Sequence, residues 1–88
     1  MVSKVVTVIN AQGFHMRPAK EFAAEMAKFK SKITLETNGK TVDAKSLMNL
    51  IAACIKCGAE VNIKCDGEDE AAALDKAASM IESGLGEA

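Results

Sequence analysis

The chain has no tryptophan or tyrosine, only three phenylalanines, and a single histidine and a single proline among its 88 residues. Proteins that bind single-stranded nucleic acid stack bases on aromatic side chains, so this composition argues against that class. The formal net charge of −1, from 11 basic and 12 acidic residues, argues against a polycation that binds nucleic acid or anionic lipid. We therefore expect no nucleic-acid partner.

No apolar run reaches the length of a membrane span. The opening MVSKVVTVIN is too short and too strand-like for a signal peptide. Three cysteines, an odd number, indicate reduced thiols in a cytoplasm rather than a disulfide framework. A chain of this length can bury one core but not two. The sequence therefore predicts a cytoplasmic protein without membrane insertion, folded as a single domain over residues 1–88.

Four segments carry strand patterns. Residues 5–9 are rich in β-branched side chains and predict a mostly buried first strand. The alternating segment KITLET at 32–37 is followed by Asn38-Gly39, a hairpin signal, and by a short returning strand at 40–43. The segment AEVNIKC at 59–65 alternates again, which predicts a strand with one buried face.

Three segments show helical periodicity. The first begins at Met16 and places one apolar face inward: Ala19, Phe22, Ala23, Met26 and Ala27. The second follows Ser46 as N-cap, runs over residues 47–55 and is apolar on nearly every side, with Gly58 as its stop signal. The third opens on acidic residues at 66–70 and has an inner stripe: Ala71, Leu74, Ala78, Ile81 and Leu85. The order βαββαβα predicts a two-layer α+β sandwich with helices over one sheet.

The stretch GFHMRPA at 13–19 holds the only histidine, His15, and the only proline, Pro18, with Arg17 between them. Amides at a helix start have no partner inside the helix and the dipole is positive there, so this junction favours an anion. Pro18 suits the first turn, where its fixed φ favours the helix. Arg17 offers a planar, permanently charged donor group to a phosphate.

Histidine side chains ordinarily have a pKa of about 6.5, so a substantial neutral fraction at cytoplasmic pH can act as a nucleophile. A phosphoryl group on His15 would be held by Arg17 and the first-turn amides until an acceptor approached in line. The residues alone leave an alternative open, in which His15 lies in an exposed loop and simply caps the helix.

Three segments, GFHMRPAKEF, AKSLMNL and GAEVNIKCDGEDEAAAL, resemble the histidine-containing phosphocarrier protein HPr of the sugar phosphotransferase system, in order over nearly the whole chain. The family pattern is G-[LI]-H-A-R-P-A. The chain keeps Gly13, His15, Arg17, Pro18 and Ala19. It departs at Phe14, a bulkier apolar residue, and at Met16, where a flexible side chain could change transfer rate or partner fit.

The resemblance implies an open-faced βαββαβα sandwich, with a four-stranded antiparallel sheet covered on one side by three helices. It implies that Nδ1 of His15 accepts phosphate from phosphorylated enzyme I, which phosphoenolpyruvate charges, and passes it to enzyme IIA domains. Arg17 would stabilise the phosphate, and Met16 and Pro18 would form the helix start that receives it. The implied protein is a monomeric, stoichiometric carrier rather than a turnover enzyme, with neither cofactor nor metal.

The resemblance also assigns roles around the second helix. Ser46, besides being an N-cap, matches the serine that an ATP-dependent HPr kinase phosphorylates in many Gram-positive bacteria. Leu47 and Met48 would stay partly exposed and dock enzyme I and IIA domains, although core packing is the alternative. The rival function is a regulatory HPr paralogue that acts through Ser46 and protein partners, such as the kinase/phosphorylase and a transcriptional regulator. Such paralogues typically lack the histidine, so His15 argues against it.

Cys54 and Cys57 have C-x-x-C spacing, and Cys65 follows in the next strand. A thiol or metal module built on these three residues would predict bound zinc or sensitivity to thiol reagents. Zinc normally takes four ligands, and only the distant His15 could complete the set. A redox pair favours a helix N-terminus, whereas this pair follows a helix. We therefore expect no metal site and interpret the cysteines as small apolar packing residues, with Cys57 the most open to oxidation.

Overall fold

The computed structural model describes residues 1–11 and 13–85, and within them seven elements follow in the predicted order. They are β1 (Val2–Thr7), α1 (Met16–Met26), β2 (Lys32–Thr37), β3 (Lys40–Asp43), α2 (Leu47–Ala52), β4 (Glu60–Asp66) and α3 (Glu70–Glu82). None of the helices in this described part of the chain is long and apolar enough to cross a membrane.

The four strands form one antiparallel sheet in the order β1-β4-β2-β3. Strand β4 is central, and its Val61, Ile63 and Cys65 are fully buried, as the alternation predicted. Asn38 and Gly39 have positive φ values of 51° and 75°, as a two-residue turn between β2 and β3 requires. The predicted hairpin is confirmed.

One face of the sheet is apolar and the other is polar. On β2, Ile33 and Leu35 are buried, whereas Thr34 and Glu36, which alternate with them, are half-buried. Across the polar face, Lys64 Nζ lies 3.0 Å from Glu36 Oε2. The helices cover the apolar face, and the largest buried side chains lie between the two layers: Phe22, Met26, Ile33, Leu35, Leu50, Ile55, Ile63 and Ile81. The predicted open-faced sandwich is confirmed.

The prediction for the first strand was wrong in extent and in burial. β1 begins at Val2, and within it only Val6 is buried, whereas Val5 is 57% exposed. The reason is that β1 is an edge strand of a sheet with one open face, so alternate side chains meet water. A run of β-branched residues did not distinguish this from a strand buried on both faces.

The second helix is shorter than predicted. It ends at Ala52 with Ala53 as C-cap, and Cys54 takes a left-handed φ of 53°. Ile55 is still 2% exposed, so the apolar pattern continued past the helix because the following loop also packs on the core. Gly58, the predicted stop, lies well beyond the true end.

The apolar stripes of the other two helices needed smaller corrections. In α1 the predicted inner face is confirmed except for Ala27, which is exposed at the C-cap. In α3 the predicted Ala71 is exposed and Leu74 is only partly buried. The inner stripe of α3 is Ala73, Ala77, Ala78 and Ile81. Leu85 is buried too, although it lies after the helix.

Candidate functional site

His15 is the N-cap residue of α1, where the sequence placed it. Its backbone is extended, with φ −81° and ψ −176°, and its carbonyl accepts a hydrogen bond from Ala19 N at 3.0 Å. Its imidazole makes no capping hydrogen bond to the helix, and the residue is half-buried rather than exposed. His15 therefore serves the helix start through its backbone carbonyl and not through its imidazole.

Hydrogen bonds to backbone atoms fix the loop that leads into His15. Asn10 is buried, and its Nδ2 donates to Gly13 O at 2.7 Å. Phe14 N donates to Ile55 O, in the loop after α2, at 3.0 Å. The backbone around His15 is therefore held on one side by α1 and on the other by the segment that follows α2.

Gly13 is required where this loop meets the segment after α2. Its φ is 61°, and a Cβ built there would lie 2.2 Å from Ile55 O and 2.8 Å from Lys56 Cα. Only a residue without a side chain fits such a close backbone approach. Any substitution at Gly13 would therefore push the loop that carries His15 away from its support.

Phe14 anchors the same loop in the core. Its side chain is 4% exposed, and its ring meets the ring of Phe22 edge to face, with centroids 5.2 Å apart and planes at 85°. This geometry is one that aromatic pairs prefer. The bulky residue next to the histidine therefore supports the position of His15.

The first turn of α1 suits an anion. The α1 helix has no acidic residue in its first turn, which consists of Met16, Arg17 and Pro18. Arg17 is exposed, and Met16 is 61% exposed beside the histidine. Pro18 is buried and sets the start of the helix. The positive end of the dipole and the Arg17 guanidinium can both stabilise a negatively charged group on His15.

A second feature lies at the start of α2, which packs against α1. Ser46 Oγ accepts hydrogen bonds from Asn49 N at 3.3 Å and Asn49 Nδ2 at 2.9 Å, so the predicted N-cap is confirmed. Leu47 is partly buried against the core, whereas Met48 is 77% exposed. Met48 is therefore not a core residue, and Leu47 is shared between the core and the surface.

Comparisons with known proteins agree on one family. A family model described as "PTS HPr component phosphorylation site" matches residues 2–83. The chain belongs to the HPr family. It is 40% identical over 81 residues to the phosphocarrier protein HPr of Haemophilus influenzae, covering 92% of this chain and 95% of that protein. It is also 40% identical over 82 residues to the HPr-like protein Crh of Bacillus subtilis, covering 93% and 96%.

The fold leads to the same family. The crystal structure of an HPr from Thermoanaerobacter tengcongensis superimposes with a TM-score of 0.95 at 34% identity, covering all of this chain and 99% of that one. HPr proteins are phosphocarriers and not classical enzymes.

Two supports of the candidate site were not predicted from the sequence. The Asn10 side chain and the Ile55 carbonyl both hold the histidine loop, yet neither was predicted to belong to the site. An asparagine three residues before a glycine is a signal for a local turn, so Asn10 could have been found. A backbone carbonyl carries no signal in the sequence.

Two of the three cysteines do not behave as predicted. Cys65 is buried in β4, and burial first, then the nearby Glu70 carboxylate, raises the pKa of its thiol. Cys54 and Cys57 are both exposed, so the interpretation of them as packing residues is wrong. Within residues 1–11 and 13–85, no group of three or more metal-ligating side chains is assembled.

Proposed function

We propose that this HPr protein accepts a phosphoryl group on Nδ1 of His15 from phosphorylated enzyme I and passes it to enzyme IIA domains. The observation that carries the proposal is the place of His15 at the N-cap of an 11-residue helix whose first turn contains Arg17 and no acidic residue. Such a helix start favours the phosphate that the transfer leaves on the ring.

The chemistry needs only a nucleophilic nitrogen and charge stabilisation. The lone pair on Nδ1 of the neutral imidazole attacks phosphorus while the bond from phosphorus to the donor breaks. The nitrogen–phosphorus bond then carries the group, and Arg17 offsets its negative charge. Attack by a nucleophile of the acceptor domain breaks this bond and restores the free imidazole. His15 therefore returns to its starting state after each transfer, as a carrier must.

Incubation with enzyme I and phosphoenolpyruvate tests the acceptor. We expect the intact mass to increase by one phosphate, which mild acid removes, because phosphohistidine is acid-labile. The variant His15→Ala should gain nothing. Ser46→Ala is the matched control, since it removes another candidate phosphate acceptor and should be charged normally. A phosphate that survives acid, or one that persists in His15→Ala, would contradict the proposal.

Leu47 and Met48 are proposed as the docking patch for enzyme I and IIA domains. An apolar side chain that is 77% exposed, as Met48 is, contributes to a partner interface more than to the core. Met48→Ala should raise the KM for this protein in the enzyme I reaction several-fold, while the unfolding free energy stays within about 0.5 kcal/mol. Val5→Ala, which truncates another exposed apolar residue on β1, should leave KM unchanged. Equal effects of both variants would refute this docking patch.

Regulation through Ser46 is the second candidate function, since the HPr-like protein Crh matches the chain as well as an HPr does. Phosphate on Ser46 would lie at the start of α2, next to Leu47 and Met48, and add negative charge to the docking patch. We expect HPr kinase with ATP to modify Ser46 and not Ser46→Ala, and the modified protein to be charged more slowly by enzyme I. A transcriptional regulator would be the further partner of that form.

We also propose that the chain acts in the cytoplasm as a monomer and forms one domain. Sedimentation equilibrium of the purified protein tests the oligomeric state, and a dimer at micromolar concentration would contradict the proposal.

A further inference from the structure

The segment after α2 that carries Cys54 and Cys57 lies directly against the loop that carries His15. Between the two cysteines, Ile55 O accepts the hydrogen bond from Phe14 N at 3.0 Å. Just after them, Gly58 N donates to Val8 O at 2.7 Å. Cys57 Sγ itself is 3.7 Å from Ile9 O. Both thiols are exposed, so reagents can reach a segment that supports the phosphate site.

Cys54 also has an unusual backbone conformation. Its φ of 53° is left-handed, at the position after the α2 C-cap where glycine is favoured because a Cβ is strained there. Strained residues of this kind cluster at functional sites, where the surrounding structure holds them in place. A thiol at this position, three residues before a second exposed thiol, is therefore not explained by packing or by backbone preference.

We infer that Cys54 and Cys57 form a reversible thiol modification site that slows phosphoryl acceptance by His15 when the two thiols are oxidised to a disulfide. The reactant is a low-molecular-weight disulfide such as glutathione disulfide. The effect on His15 rests on the proposed carrier function, whereas the disulfide and its effect on the loop do not.

The chemistry is two thiol–disulfide exchanges. One cysteine thiolate attacks glutathione disulfide, forms a mixed disulfide and releases one glutathione thiolate. The other cysteine thiolate then attacks the protein sulfur of the mixed disulfide and releases the second glutathione. The two protein thiols are oxidised, and glutathione disulfide is reduced to two glutathione molecules.

The disulfide would affect the loop that carries His15 through Ile55. A disulfide holds its two Cα atoms within about 7 Å of each other, so closing the ring constrains the Ile55 and Lys56 peptide units inside it. The Ile55 carbonyl is the acceptor for Phe14 N, and Gly13 packs on it without room for even a Cβ. A rotation of that carbonyl must therefore displace Gly13 or Phe14, and the neighbouring His15 moves with them.

The test equilibrates the protein in glutathione redox buffers and follows it by three readouts. Intact mass and peptide mapping identify the Cys54–Cys57 disulfide and its reversal by dithiothreitol. Amide hydrogen exchange of Phe14 reports the hydrogen bond to Ile55 without any partner protein. The rate of charging by enzyme I reports His15. The double variant Cys54→Ser/Cys57→Ser is the control, and it retains Cys65.

We expect the oxidised protein to show faster Phe14 exchange and charging about three- to tenfold slower, the range that corresponds to losing one backbone hydrogen bond. The double variant should be insensitive to the buffer. The inference is overturned if only mixed or intermolecular disulfides form, or if the Cys54–Cys57 disulfide leaves Phe14 exchange unchanged. Unchanged charging despite altered exchange would overturn the effect on His15. If the reduced protein is not charged at all, the proposed function fails instead, while Phe14 exchange still tests the disulfide.

Discussion

At the scale of single residues, the histidine proposed to carry the phosphoryl group depends on neighbours that lie outside the proposed phosphate site. The loop of His15 is supported by the Asn10 side chain and the Ile55 carbonyl, and the Phe14 ring is buried on Phe22. These contacts hold the backbone that leads into His15. For the proposed carrier, a backbone held in place before a partner binds would lower the entropic cost of the transfer.

The cap at α2 gives a stability prediction for one residue. Ser46→Ala removes the oxygen that accepts from Asn49 N, so it should lower the unfolding free energy by about 1 kcal/mol. Urea unfolding followed by circular dichroism measures this. Ser79→Ala is the matched control on the exposed side of α3, where the same substitution removes no cap and should cost nothing. Equal stabilities of the two variants would refute the capping role.

The sequence singled out the candidate site residues because a lone histidine and a lone proline fall within four positions of each other. His15, Arg17 and Pro18 stand together at a predicted helix start, and the structure places them in its first turn or at its cap. The Asn10 and Ile55 contacts could not be predicted in the same way. They depend on how the loop before α1 meets the loop after α2, which is a property of tertiary packing.

At the scale of elements, the sequence specified where β2, β3 and β4 lie better than where the helices end. Strict alternation and the Asn38-Gly39 turn leave one register for the hairpin. The sequence predicted α2 to run past Ala52. Glycine just after the C-cap is the usual signal that a helix ends, and this chain has Cys54 there. The inner stripe of α3 was misplaced because alanines lie on several of its sides, so hydrophobicity alone does not define the face.

The close approach of the loop before α1 to the loop after α2 predicts different effects for the same substitution at two glycines. Gly13→Ala and Gly39→Ala both place a Cβ on a left-handed residue, which costs about 1–2 kcal/mol. At Gly39 a Cβ meets nothing within 4 Å, whereas at Gly13 it meets Ile55 O at 2.2 Å. Gly13→Ala should therefore be clearly the less stable variant in thermal unfolding, and the only one of the two with slower charging by enzyme I. Equal losses of stability would show that the close approach to Ile55 is unimportant.

At the scale of the whole molecule, one carboxylate joins the loop after α1 to the start of α3. Asp69 accepts hydrogen bonds from Lys30 N and Ser31 N, each at 2.9 Å, and from Ser31 Oγ. The Ser31 hydroxyl, followed by the Lys30 amide, lowers the pKa of this carboxyl from 3.8 to about 2. The ionised carboxylate of Asp69 thus connects the loop after α1 to α3.

The pKa of Asp69 predicts how stability depends on pH. Because the folded pKa lies below the unfolded one, the unfolded chain binds more protons, and stability should fall as the pH drops from about 4 to about 2. Asp69→Asn should be less stable than the parent at neutral pH, and the difference should shrink at about pH 3. Urea unfolding at both pH values measures this. A residual acid dependence is expected in the variant, because hydrogen bonding from Gly67 N and the N-terminus also lowers the pKa of Glu70.

Asp75→Asn provides the control for that experiment, since Asp75 is an exposed carboxyl on the same helix. It should leave the stability at neutral pH nearly unchanged. A difference between Asp69→Asn and the parent that is constant across the pH range would contradict the role assigned to the ionised Asp69.

The relay of one labelled phosphate tests the central claim, that this protein carries a phosphoryl group on His15, most directly. A catalytic amount of enzyme I and radiolabelled phosphoenolpyruvate charge the protein, unlabelled phosphoenolpyruvate is added, and an IIA domain follows as acceptor. We predict that label first appears on this protein, in acid-labile form, and then passes to the IIA domain, with neither step occurring in His15→Ala. Label that stays on the protein, or that reaches the IIA domain equally well with His15→Ala, would contradict the account.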